Sequence, residues 1–154
     1  MNNPPTILIC PLNWGLGHAS RDFFIIRHLM RCGHRVVVGG DKSAMTLLAS
    51  EFPELQVLRI PDIPICYSRF FPAWVVIFLQ VPKFIFGIIR EHYLLKNIIR
   101  TVQADIIISD NRYGLWNKDV ISILISHQLS PRLPARMKLL EPFLARLKIG
   151  RAHV

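Results

Sequence analysis

Five short apolar runs alternate along this chain with segments of helical periodicity, and that alternation strongly limits the folds open to it. The runs cover residues 6–12, 35–38, 55–60, 104–110 and 120–125. Continuously apolar strands are typical of parallel sheets that helices cover on both faces. The pattern therefore predicts an α/β fold with a doubly wound, Rossmann-like parallel sheet.

The helices are expected between these runs. A first helix is predicted from about Ala19 to Arg31, with Gly33 at its end, and a second over 44–50 with Ser43 as its cap. After the third strand come the apolar stretch 70–89 and an amphipathic continuation, which predict two consecutive helices kinked near Pro82.

The stretch 70–89 leaves alternatives open. Its twenty residues carry one charge, Lys83, so the stretch is long enough to span a bilayer, but two prolines and a glycine interrupt it. Two other interpretations are core packing and an exposed patch that contacts a membrane surface or a lipid acceptor. The patch would consist of Phe70, Phe71, Trp74 and Phe78.

Charge and cysteine content narrow the classes of partner. The chain has 154 residues, enough for one domain, and a formal net charge of +9 without a dense basic run. We expect anionic substrates or an anionic membrane surface rather than nucleic acid. Three cysteines without a CxxC motif predict buried free thiols, and no signal peptide is apparent. We expect a cytoplasmic protein, with a peripheral position at the inner face of the membrane as an open alternative.

The loop after the first strand is the first candidate site. Residues 13–21 read NWGLGHASR, in which Gly15 and Gly17 let the backbone approach a ligand closely. The following helix N-terminus favours an anionic group. The Gly15-x-Gly17-x-x-Ser20 spacing is close to a dinucleotide fingerprint with Asp41 as the ribose-binding acid, although Ser20 replaces the third glycine.

His18 in this loop has two interpretations. The helix dipole disfavours its protonated form, so the imidazole could act as a general base near neutral pH. Alternatively, it is a helix residue bonded to the backbone. Asp110 and His127 follow later strands, and the carboxyl ends of parallel strands meet at one edge of a sheet, so we expect these groups near His18.

Several blocks together resemble the N-terminal, acceptor-side domain of GT-B glycosyltransferases, especially the family 28, MurG-like branch. These blocks are the Gly-x-Gly-His loop, the GHRV motif at 33–36, SDNRYG at 109–114 and ISHQL at 125–129. The resemblance covers nearly all of residues 6–147. It implies inverting transfer from a nucleotide-sugar to an acceptor hydroxyl, with no bound metal or cofactor.

The resemblance also implies roles for individual residues. His18 would be the base and Asp110 the carboxylate that orients it, unless Arg112 binds that carboxylate instead. The expected substrate contacts are Asn13, Gly15, Gly17, Ser20, Arg112, His127 and Gln128.

The domain organisation follows from the same resemblance. Residues 1–147 would form the N-terminal half of the enzyme, and the C-terminal donor domain would be missing, so this chain is expected to be inactive alone. Residues 148–154 match one translation of a common sequencing adapter, which predicts a non-native tail. The alternatives are a nucleotide-sugar epimerase, an NAD-dependent oxidoreductase, and a non-catalytic nucleotide-binding or membrane-associated module.

Overall fold

In the part of the chain that the structure describes, five strands and three helices follow one another as the apolar runs predict. The computed structural model covers residues 4–12, 16–64, 66, 69 and 72–126, without the side chains of residues 16–20, 42–44, 73 and 74. The elements are β1 (Thr6–Cys10), α1 (Leu16–Arg31), β2 (Arg35–Gly40), α2 (Lys42–Glu51), β3 (Gln56–Arg59), α3 (Ala73–Val102), β4 (Ile106–Asp110) and β5 (Ile121–Ile125).

The strands form one parallel sheet in the order β3-β2-β1-β4-β5. β1 lies in the centre, where Leu8 pairs with Val37 of β2 on one side and with Ile107 of β4 on the other. The chain winds outward from β1 to β3, returns through α3 and winds outward again to β5. The predicted α/β class with a doubly wound parallel sheet is therefore confirmed, and its topological switch point lies between β1 and β4.

Two apolar clusters cover the two faces of this sheet. Ile7 and Ile9 of β1 face a cluster that includes Ile26 of α1 and Leu48 of α2. Leu8, which points to the other face, belongs to a cluster with residues of α3. Every residue of β1 is buried, which explains why this strand reads as a continuous apolar run.

A single helix, α3, replaces the two kinked helices expected around Pro82, so that prediction is wrong. The helix runs for 30 residues with Pro82 inside it. Proline has no N–H to donate to the carbonyl four residues earlier, which is that of Phe78. Both residues are exposed, so water can satisfy that carbonyl, and the helix continues.

The first half of α3 presents an apolar surface to solvent. Phe78 is 54% exposed, Leu79 is 70% exposed and Phe86 is 69% exposed. Core packing was therefore the wrong interpretation for Phe78. Among the helices that the structure describes, none is both long and apolar enough to cross a membrane.

Two helices begin earlier than predicted. α1 starts at Leu16, so Gly17 and His18 lie in its first turn, where backbone N–H groups need no partner inside the helix and glycine is tolerated. α2 starts at Lys42 with Asp41 at the N-cap position, two residues before the expected cap at Ser43. Asp41 makes no capping bond with its side chain, because its carboxylate pairs with Arg59 at 3.4 Å.

Candidate functional site

The candidate site lies at the switch point, where the carboxyl ends of β1 and β4 meet the first turn of α1. Asp110 is the last residue of β4 and its side chain is only 1% exposed. His18 is the third residue of α1. In open α/β sheets ligands bind at this edge. The topology therefore brings the backbones of the two predicted catalytic residues to the same end of the sheet.

Arg21 is the observed partner of the Asp110 carboxylate. Its Nη2 donates a hydrogen bond to Oδ1 of Asp110, which also accepts a bond from the Asn111 side chain at 3.3 Å. An opposite charge offsets the cost of burying this carboxylate, which alone would be several kcal/mol. The predicted contact between His18 and Asp110 stays a prediction, because the side chain of His18 lies outside the description.

Asp22 adds a second carboxyl group beside this ion pair. Its side chain is completely buried, and neither of its oxygens has a hydrogen-bond partner. Burial first, and then the charge of Asp110, raise its pKa to about 7, although Arg21 opposes this shift. Near neutral pH a large fraction of this group is therefore the uncharged acid, which is the cheaper form to bury.

The cysteines do not supply a nucleophile to this site. Cys10 ends β1 beneath it, but burial raises the pKa of its thiol to about 12, although Arg112 opposes that shift. The thiolate is the reactive form, so Cys10 is inert at neutral pH. Cys32 and Cys66 are exposed, which corrects the prediction that all three thiols are buried.

Arg112 serves internal contacts, and its side chain is 1% exposed. Its Nη2 donates to Glu91 of α3 at 2.7 Å and to the Pro61 carbonyl at 3.0 Å, while Nη1 lies 3.1 Å from Asp62. Burial lowers the pKa of the guanidinium, but Glu91 and Asp62 outweigh burial and raise it. A substrate anion would have to displace one of these carboxylates.

The ion triad of Arg112, Glu91 and Asp62 ties α3 and the loop after β3 to the loop after β4. The loop after β4 also packs closely against α3 at Gly114, where an added Cβ atom would lie 2.5 Å from the carbonyl oxygen of Ile88. The suggested alternative pairing of Arg112 with Asp110 is not the arrangement seen, because Arg21 and Arg112 each hold a different carboxylate.

Several predicted site residues lie outside the description. These are Asn13, Gly15, Phe70, Phe71, His127 and Gln128, together with the side chains of Ser20 and Trp74, and the tail 148–154. Gly17 and Ser20 are placed only by their backbone, which is helical. Their roles as substrate contacts stay predictions.

Sequence reasoning missed Arg21, Asp22 and Glu91. Arg21 and Asp22 follow His18 by three and four positions, a spacing that puts all three on one side of a helix. That spacing was a usable signal for a polar cluster. The partner of Asp110 could not be read from the sequence, because Arg112 lies only two positions after Asp110 and the packing of α3 is what brings Glu91 to Arg112.

The fold matches one Rossmann-like half of a GT-B glycosyltransferase. Among solved structures the chain is similar to the glycosyltransferase of kitacinnamycin, with a TM-score of 0.64 and 19% identity over 96% of this chain and 36% of that one. A Glycyrrhiza uralensis protein, UGT73P12, solved with glycyrrhetinic acid 3-O-monoglucuronide, aligns with a TM-score of 0.44 and 15% identity over 70% of this chain and 24% of that chain.

The other two comparisons are negative. No protein-family profile and no curated protein matches the chain. The chain spans about a third of the length of the kitacinnamycin enzyme, at 36%. The structural likeness therefore shows the fold of one Rossmann-like half of a GT-B enzyme, and it does not show the MurG-like branch.

Proposed function

We propose that this chain is the acceptor-side half of a glycosyltransferase that moves a sugar from a nucleotide-sugar to an acceptor hydroxyl. The observation that carries the proposal is the placement of Asp110 at the end of β4, where it pairs with Arg21, a residue one helical turn after His18 in α1. The likeness to a glycosyltransferase over 96% of the chain supports it.

In the proposed reaction His18 takes the proton of the acceptor hydroxyl. The acceptor oxygen then bonds to the anomeric carbon, while the bond from that carbon to the diphosphate oxygen breaks and the nucleoside diphosphate leaves. Attack from the face opposite the leaving group inverts the anomeric configuration. No covalent intermediate is needed, so the enzyme supplies one base and a correctly oriented acceptor.

Arg21 and Asp110 would orient the base in this proposal. The carboxylate of Asp110 is held by Arg21 at a buried position, so it is fixed in space before the acceptor binds. A fixed carboxylate can hold the imidazole tautomer and stabilise the imidazolium that forms, as in hydrolase triads. Arg21 is then a positioning residue, which acts on His18 through Asp110.

The proposal is tested by measuring sugar transfer from a panel of nucleotide-sugars with the full-length protein. His18→Ala should lower turnover at least about 100-fold while nucleotide-sugar binding stays unchanged, because general-base catalysis contributes about that much. His28→Ala, an exposed histidine of the same helix, is the matched control. Equal turnover in the two variants would rule out His18 as the base.

We also propose that the exposed surface of α3 rests on an anionic membrane, which would suit a lipid-linked acceptor. Leu79 and Phe86 provide apolar contact, and Lys83 and Arg90 are cations on the same helix. Phe86→Glu should reduce flotation with vesicles that contain phosphatidylglycerol. Phe24→Glu alters a residue of α1 that is 76% exposed, and it should leave flotation unchanged. An equal loss of flotation in both variants would refute the proposed membrane contact of α3.

A further inference from the structure

A groove of about 440 Å³ lies between the second half of α3 and the connection from β4 to β5. Its lining includes the cations Lys96, Arg100 and Lys118. Arg100 belongs to the last turn of α3, and Lys118 stands shortly before β5 begins at Ile121. The groove therefore opens near the amino ends of β4 and β5, at the edge of the sheet opposite Asp110.

The cations of this groove have few internal partners. All three are exposed. The ion pairs seen among the described residues are formed by side chains other than these three cations. The ammonium of Lys96 lies 5.6 Å from the centroid of the Tyr93 ring, which orients it without neutralising it. Asp119 is the acidic residue of the lining, so the groove keeps a surplus of positive charge.

Two rings in tilted contact form one wall of the groove. The centroids of His92 and Trp116 lie 4.6 Å apart, and Trp116 is 39% exposed. The exposed ring of Trp116 thus offers a ligand an apolar surface.

We propose that this groove is a second ligand site, separate from the predicted catalytic edge, which binds the phosphate group of a phosphate-bearing molecule. Lys96, Arg100 and Lys118 surround the anion, and Trp116 contacts the apolar part of the ligand. Charge-assisted hydrogen bonds from three cations suit the several oxygens of a phosphate better than the two of a carboxylate. A volume of about 440 Å³ accommodates a small molecule or a single lipid headgroup.

The first arm of the test uses inorganic pyrophosphate, followed by NMR of the indole N–H of Trp116, which a Trp116→Phe variant assigns. We expect saturable shifts with a Kd below about 1 mM. The double variant Arg100→Gln/Lys118→Gln should weaken binding at least about tenfold. Arg31→Gln, at an exposed arginine of α1, removes one positive charge outside the groove lining and should bind like the unchanged protein.

The second arm distinguishes a lipid headgroup from a free phosphate. Vesicles of phosphatidylcholine with phosphatidic acid are floated with the same variants, and a loss specific to the double variant assigns the site to a headgroup. Saturable pyrophosphate binding without that loss assigns it to a soluble ligand. The proposal is overturned if neither probe depends on the groove residues, or if Arg31→Gln weakens binding as much as the double variant. Sugar transfer enters neither arm, so the outcome is independent of the proposed function.

Discussion

The substitution Asp22→Asn should make the protein more stable at neutral and alkaline pH. Asp22 is completely buried, and both of its oxygens lack hydrogen-bond partners. The charged groups around it are Asp110 at the end of β4 and Arg21 on its own helix, and the Cys10 thiol at the end of β1 is electrostatically coupled to it. Asparagine has nearly the shape of the protonated acid and never ionises, so it removes the cost of the charged form.

The magnitude follows from the two pKa values of this carboxyl group. In the folded protein the pKa is about 7, raised by burial and by Asp110, against 3.8 for the ordinary group. Between these values the folded state holds a proton that the unfolded state has released. Stability therefore falls as pH rises through this window, by about 1.4 kcal/mol per pH unit, and it is flat above pH 7. The full effect is about 4 kcal/mol, from 3.2 pH units at that slope.

Urea unfolding at pH 5 and pH 8 measures this effect. The variant should exceed the unchanged protein by about 2 kcal/mol at pH 5 and by about 4 kcal/mol at pH 8, and the two should converge near pH 4. Asp119→Asn, at an exposed carboxylate, should change stability by less than about 0.5 kcal/mol at either pH. The reasoning fails if Asp22→Asn and the unchanged protein show the same pH dependence, or if the variant is the less stable protein at pH 8.

Three further predictions concern the packing of α3 and the thiols. Arg112→Met leaves Glu91 buried with an uncompensated charge and should cost about 3–5 kcal/mol in urea unfolding, whereas a loss below about 1 kcal/mol would show that the triad is dispensable. Gly114→Ala places a Cβ atom 2.5 Å from a carbonyl oxygen of α3 and should cost about 1–3 kcal/mol; an unchanged melting temperature would contradict the close contact. Iodoacetamide should add two groups to the native protein, at the exposed cysteines, and a third at Cys10 only after unfolding, as intact mass will show; rapid native labelling of Cys10 would refute its burial.

The fold was predictable because its information is local. Each buried strand reads as an apolar run in the sequence, and alternation with helical segments implies parallel pairing. The error at α3 has a clear cause. Sequence rules count Pro82 as a helix breaker, but its cost depends on whether the freed carbonyl meets water, and exposure is a property of the tertiary structure.

The site was less predictable because its partners are distant in sequence. The spacing from His18 to Arg21 places both on one face of the helix. The two residues of the Arg21–Asp110 ion pair, however, are 89 positions apart in the sequence. Arg112 illustrates the same limit, because its position near Asp110 suggested a pairing with that carboxylate. The glutamate that binds it comes from α3, 21 positions away, and only the packing of that helix brings the two together.

The polar groups at the switch point divide into two that are charged and one that is neutral below about pH 7, and this division links stability to the proposed chemistry. Arg21 and Asp110 carry opposite charges, so the pair adds no net charge to a buried position. Ionisation of Asp22 would add an unbalanced negative charge to a buried position beside Asp110, and its pKa is raised first by burial and then by the charge of Asp110. When Asp22 is protonated, Asp110 is therefore the negatively charged member of this pair of carboxyl groups, and it could stabilise an imidazolium at His18. Asp22→Asn should therefore alter the pH dependence of stability and preserve sugar transfer. His18→Ala should lower sugar transfer at least about 100-fold and keep the pH dependence of stability that Asp22 causes between pH 5 and pH 7.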